Sequence, residues 1–120
     1  MTSPRLHILA NSLYELDRGV RALFLMTVQI SELPAVVARL ARDQVAHFTQ
    51  PVNAGKANVF FGKAAMVETA RWLARKPLNH LSPEEDFMLG TLLGYDREGQ
   101  CQRYLNKMAP KAPWLEIAAG

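Results

Sequence analysis

The stretch VAHFTQPVNAGKANVFFG, residues 45–62, decides the fold. Val45 to Val52 and Ala57 to Gly62 are short runs rich in β-branched and aromatic residues. The four residues between them, Asn53-Ala54-Gly55-Lys56, carry turn chemistry in Asn53 and Gly55, so the segment reads as a β-hairpin. Pro51 cannot donate to a ladder and belongs at a strand end or on a sheet edge. Upstream, Val20 to Gln29 places apolar side chains on both parities, which predicts a strand covered on both faces. Between that strand and the hairpin, Ser31 opens a helix with Leu33, Val36, Val37 and Leu40 inward and Glu32, Ala35, Arg39 and Arg42 outward. Pro34 is tolerated there because the first turn has no intrahelical partner for its missing N–H. A strand-helix-strand unit followed by a hairpin partner closes most simply as a three-stranded sheet, with the strand 57–62 between the other two.

Helices flank this core. Ser3 as N-cap and Pro4 in the first turn begin one that carries Leu6, Leu9, Leu13 and Leu16 at helical spacing and stops at Asp17-Arg18-Gly19. Ala64 to Arg75 turns Met66, Val67, Ala70, Leu73 and Ala74 inward and Glu68, Arg71 and Arg75 outward, and Pro77 stops it. Ser82-Pro83-Glu84-Glu85 is a capping-box start, so Glu84 and Glu85 serve the helix rather than acid/base chemistry. The helix that follows is apolar around most of its circumference and ends at Gly94. Asp96 caps a last helix whose Cys101, Tyr104, Leu105 and Met108 form one stripe, which makes Cys101 a small core residue. The expected order is α-β-α-β-β-α-α-α: one α+β domain over residues 1–108 with about five helices. A tail, residues 109–120, follows with Trp114 as its anchor. Three strands leave an edge that invites pairing, and helix 83–93 is more apolar than one small sheet demands. Both features point to a homodimer, with Phe87, Met88 and Leu92 as candidate interface residues.

Composition agrees with a folded domain: 120 residues, 49% hydrophobic and 21% charged. A single cysteine leaves no internal disulfide and fits a reducing compartment. The longest apolar stretch, Ala22 to Val28, is far short of the roughly 20 residues that span a bilayer, and no secretory signal pattern opens the chain. The expectation is a cytoplasmic protein.

Charge is unevenly spread beneath a net +3. Arg39 to His80 holds seven bases (Arg39, Arg42, Lys56, Lys63, Arg71, Arg75, Lys76) against Asp43 and Glu68, whereas Leu81 to Glu98 holds five acids against Arg97. If they converge, Arg39, Arg42, Lys63, Arg71 and Arg75 form a cationic surface that would steer an acidic partner; if not, they are solvated helix faces.

Other motifs lead to weaker readings. Gly55-Lys56 resembles the end of a phosphate-binding loop, but Gln50 stands where the first glycine belongs and Ala57 replaces the Ser/Thr. His7, His47 and His80 fall in three elements without metal-ligand spacing, and the mid-strand His47 is better read as satisfying a nearby polar group. Phe60 and Phe61 between Lys56 and Lys63 suggest base stacking. Adjacent strand residues point to opposite faces, however, so core packing is the favoured reading and nucleic acid the alternative. Tyr14, Glu15 and Arg21 at the first helix-to-strand turn, and Tyr95 at a second polar junction, would line a small pocket if those turns met. No residue pattern calls for a cofactor or metal, and no catalytic set is legible.

Two segments carry a family resemblance. Leu13-Tyr14-Glu15-Leu16-Asp17-Arg18-Gly19-Val20-Arg21-Ala22-Leu23 runs into a strand ending near Thr27. Leu92-Leu93-Gly94-Tyr95-Asp96 is followed by Gln100-Cys101-Gln102-Arg103-Tyr104. With the length and element order, they resemble a small bacterial family of unknown function, number 2023 among the domains of unknown function. The resemblance covers nearly the whole chain and implies a compact α+β protein with three strands that dimerises. It supplies no catalytic residues. It implies one partner, flavodoxin, an acidic electron carrier whose genes lie beside those of the family. The expected function is therefore a non-enzymatic homodimeric module that binds an acidic protein through its basic middle. Weak RNA or DNA binding, and a small-ligand or enzymatic pocket at the dimer interface, are the alternatives.

Overall fold

A computed structural model describes residues 4–109; the Ser3 cap and the Trp114 anchor lie outside the described residues. The elements are α1 (Pro4–Asp17), β1 (Leu23–Gln29), α2 (Leu33–Arg42), β2 (Ala46–Pro51), β3 (Lys56–Gly62), α3 (Ala64–Leu73), a 3₁₀ turn (Leu78–His80), α4 (Pro83–Leu92) and α5 (Arg97–Met108). The sheet order is β1-β3-β2, and both outer strands run antiparallel to the central β3. β1 and β2 are therefore parallel to each other, and α2 crosses over β3 to join them. This is the α+β architecture with a three-stranded sheet and five helices that the sequence implies.

The alternation of β3 divides the core. Val59 and Phe61 meet Phe24, Met26 and Val28 on one face, where Leu9 of α1 and Val36 and Leu40 of α2 close over them. Phe60 meets Leu23 and Phe48 on the other, beneath Val67, Ala70 and Leu73 of α3 and Leu89 of α4. Each face has one stacked aromatic pair: Phe24 on Phe61 with ring centroids 5.2 Å apart, and Phe48 on Phe60 at 4.6 Å. Phe60 and Phe61 are both fully buried, so neither is a platform for bases.

The turns follow their side-chain chemistry. Asn53 Oδ1 accepts from the N–H groups of Gly55 and Lys56 at 2.8 and 3.0 Å, so those amides serve the hairpin and not a phosphate. Gly62 has φ +149°, and a Cβ there would run into the Ala22 carbonyl, so glycine is required where β3 passes the start of β1. Ser82 and Glu85 form the expected capping box, and Asp96 Oδ2 accepts from Gly99 N–H at 2.8 Å.

Four expectations need correction. The first strand begins at Leu23, not Val20, because Arg18 to Val20 complete the turn that ends α1. The second helix begins at Leu33, not Ser31: Glu32 takes the N-cap position, and its side chain turns back to β1. Cys101 is exposed. The stripe it shares with Tyr104, Leu105 and Met108 is only partly covered, with Leu105 exposed and Tyr104 and Met108 half-buried, because α5 packs chiefly on α4. Among the described residues no helix is long and apolar enough to cross a membrane.

Candidate functional site

The five bases expected to gather do not share a surface. Arg39 and Arg42 lie on α2 over the first face; Arg71 lies on α3 over the second, and Arg75 in the turn just past the end of α3. Lys63 takes the N-cap position of α3 and lines a shallow hollow with Asp17 and Asp43. On α2 the charge is locally neutralised. Arg39 Nε donates to Asp43 Oδ2 at 2.9 Å and Arg42 Nε to Oδ1 at 3.2 Å, and these two bonds hold the Asp43 carboxyl below the usual range.

The outer face of α3 is different, because a residue that the charge pattern does not single out organises it. Trp72 is 55% exposed, and the Arg75 guanidinium lies 4.0 Å above its ring. One turn back, Arg71 lies 4.8 Å over the edge-strand Phe48 while bonding Glu68 at 3.2 Å. Arg75 is also anchored by its Nη1, which donates to the Trp72 carbonyl at 2.7 Å. The signal was present in the sequence: Trp72 falls off the inward stripe of Met66, Val67, Ala70 and Leu73, so a large aromatic had to face solvent.

The two polar junctions do meet, but not as a pocket. Arg21 Nη2 donates to the Leu93 carbonyl at 3.1 Å, its guanidinium lies 4.6 Å over Phe24, and Glu15 is 3.9 Å away. Arg21 thus ties the end of α4 to the start of β1. Its Nε is buried with no hydrogen-bond partner among the described residues. Tyr14 stands out at 60% exposure with Arg18 over its ring. Tyr95 belongs to a different cleft, of about 450 Å³, bounded by Leu25, Leu78, Leu81, Leu89 and Leu93 below and by Gln100 and Arg103 of α5 above. Tyr14, Glu15 and Arg21 do not line it.

Around α4 charge is used for assembly. Glu85 accepts from Lys76 and from the Ser82 backbone, and these bonds lower its carboxyl to about 2. For Asp86, burial opposes ionisation, but Arg103 at 2.7 Å and Lys107 at 3.2 Å outweigh it and hold the carboxyl below its ordinary range. Of the residues considered for a dimer surface, Met88 is 43% exposed, Phe87 lies against Tyr104, and Leu92 packs back onto the core. His47 Nδ1 is 2.8 Å from the Val45 carbonyl, the local polar partner anticipated for it. Among the described residues no group of three His, Cys, Asp or Glu could hold a metal ion.

These features define a small α+β domain: three antiparallel strands between two helical layers, with an aromatic and basic stripe on one outer helix. The chain belongs to the family described as protein of unknown function (DUF2023), whose model matches residues 7–107. Among curated proteins, none matches it.

Proposed function

We propose that the protein is a non-enzymatic, homodimeric protein-binding module that docks an acidic partner on the outer face of α3. The observation that carries this reading is the half-exposed Trp72 held under Arg75 and beside Arg71. Trp and Arg are the side chains in which interface binding energy concentrates. A ring pre-set by a stacked guanidinium also loses little freedom on docking. Arg71, Arg75 and Lys76 contribute mainly to encounter rate and orientation, because Glu68 and Glu85 already offset part of their charge. The homodimer is supported by Met88 and Leu105, which are 43% and 42% exposed on α4 and α5.

An acidic flavodoxin is the partner to test, by calorimetric titration at low and physiological salt. Binding weakens as salt rises. Trp72→Ala lowers affinity by at least roughly tenfold, the scale of a hot-spot residue, whereas Arg39→Glu and Arg42→Glu leave it unchanged. Light scattering on the same sample gives the mass of two chains. No heat at high micromolar concentration, or binding indifferent to Trp72→Ala, overturns the reading.

A further inference from the structure

The outer edge of β1 leaves a window of backbone groups open. In the β1–β3 pair, Lys63 N–H donates to the Ala22 carbonyl and Ile30 N–H to that of Gly55. The even-numbered residues of β1 therefore bond inward, and Leu23, Leu25, Thr27 and Gln29 turn N–H and C=O away from β3. At Gln29 both groups are met: its N–H donates to Glu32 Oε1 at 3.1 Å, and its carbonyl accepts from Glu32 N–H at 2.9 Å. At Leu25 and Thr27 no described residue meets them. On the opposite edge β2 turns His47, Thr49 and Pro51 outward by the same register, and Pro51 has no N–H to offer. The outward backbone groups of His47 and Thr49 are met by no described residue either, so what singles out β1 is the cleft beside it.

Beside the open window lies the 450 Å³ cleft, and Leu25 belongs to both. Its backbone is on the edge and its side chain is in the cleft floor. The helical layer explains the space. α3 packs on β2 and β3, α4 packs on α3, and α5, which packs on α4, faces Leu25 across the cleft.

We propose that an extended, uncharged segment of a partner protein adds to β1 as a fourth strand and seats one bulky apolar side chain in the cleft. Only an extended backbone offers donors and acceptors at the spacing of Leu25 and Thr27. The segment is uncharged there because the ionised groups of the cleft, Asp86 and Arg103, already bond each other at 2.7 and 3.1 Å. A charged side chain would lose its hydration and find no counter-charge. The side-chain polar groups of Asn79 and Tyr95 along the cleft make no hydrogen bond among the described residues, although the Tyr95 hydroxyl interacts with Arg103, and they can receive the flanking polar groups of the segment. This surface is separate from the outer face of α3 and does not depend on the role proposed for Trp72.

The test pans a phage-displayed random dodecapeptide library on the full chain, then titrates the selected synthetic peptides into isotope-labelled protein. Expected winners alternate apolar with uncharged polar residues and shift the Leu25 and Thr27 amides. Thr27→Pro removes an outward N–H without breaking a backbone β1–β3 bond, though it also loses the Thr27 Oγ1 bond to Asn58 Oδ1. It weakens binding by roughly tenfold or more, the scale of a lost backbone hydrogen bond with its neighbours. Thr27→Ala, which keeps the outward N–H but loses the γ-methyl and the hydroxyl bonded to Asn58, controls for the side chain and stays within about threefold. Asn79→Trp, which fills the cleft without touching the sheet, weakens binding as well and guards against a misfolded proline variant. The proposal is overturned if no peptide binds, if bound peptides shift residues around Trp72 instead, or if Thr27→Pro and Asn79→Trp both leave affinity intact. It is equally overturned if light scattering shows that Thr27→Pro splits a dimer, since a second copy would then occupy the edge.

Discussion

Under α1 and α2 the sheet offers Phe24 stacked on Phe61, ringed by Met26, Val28 and Val59, and the helices seal it with Leu9, Val36 and Leu40. Under α3 and α4 it offers Phe48 stacked on Phe60. One step further along each strand on that side comes a polar rung: Thr27 Oγ1 donates to Asn58 Oδ1 at 2.7 Å, and Asn58 Nδ2 donates to Gln50 Oε1 at 3.0 Å. Gln50 Nε2 then donates to the carbonyls of Ala74 and Lys76 at 2.8 and 3.1 Å. Asn58, 6% exposed, is the buried polar residue of the described core. The interior of the first face is packed from apolar side chains, with its polar contacts at the margins. The second spends part of its area on a hydrogen-bonded chain that fixes where α3 ends, and so where the 3₁₀ turn and α4 begin. A buried amide is tolerated only when its groups are met, and here each has a partner.

Removing one ring from each face separates the two modes most strongly. Phe61→Ala is expected to cost about 3–5 kcal/mol, as a cavity in a sealed face cannot relax. Phe60→Ala should fall toward the lower end of the same ~3–5 kcal/mol, because its neighbours Leu89 and Leu93 border the cleft and can move in. Urea unfolding of both variants checks the order, and equal losses would remove the distinction between the faces. A smaller change targets the rung. Asn58→Leu keeps the branching and heavy-atom count but strands the Thr27 hydroxyl and the Gln50 amide oxygen, for a loss of about 1–3 kcal/mol. Hydrogen exchange should then accelerate at the end of α3 and leave α2 unchanged.

The smallest effect is electrostatic and again confined to the second face. The folded-state carboxyl of Glu85 is lowered from near 4.5 to about 2 by Lys76 and the Ser82 backbone. A lowered acid contributes stability that is present above its unfolded value and lost as pH falls from there through about 2. The urea midpoint should therefore decline between those limits, and Glu85→Gln should flatten that part of the curve.

Much of the build was legible because it depends on neighbours in the chain. The 45–62 hairpin is set by Asn53 accepting from Gly55 and Lys56, the start of α4 by Ser82 and Glu85, and that of α5 by Asp96. Ser31 reads as the cap of α2 on local chemistry, whereas Glu32 turns back to close the edge of β1, a contact that exists only once the strand is in place. The stripe of Cys101 signals burial only if something covers it, and α5 packs chiefly on α4. Trp72 lies off the inward stripe of α3, and the pattern of charge does not mark it.

Local bonding and side-chain period thus determined the element order, the hairpin turn and the caps of α4 and α5, since each depends on residues within a few positions of one another. The middle place of β3 follows from how a strand-helix-strand unit and a hairpin close into one sheet. Only the tertiary structure decided that Arg39 and Arg42 are held apart from Arg71 and Arg75 by the thickness of a sheet. The same is true of Thr27, Asn58 and Gln50 aligning in one rung, and of Leu25 facing α5 across an open cleft. These relations depend on strand register and on how far each helix reaches across the sheet, distances that no pattern along the chain encodes.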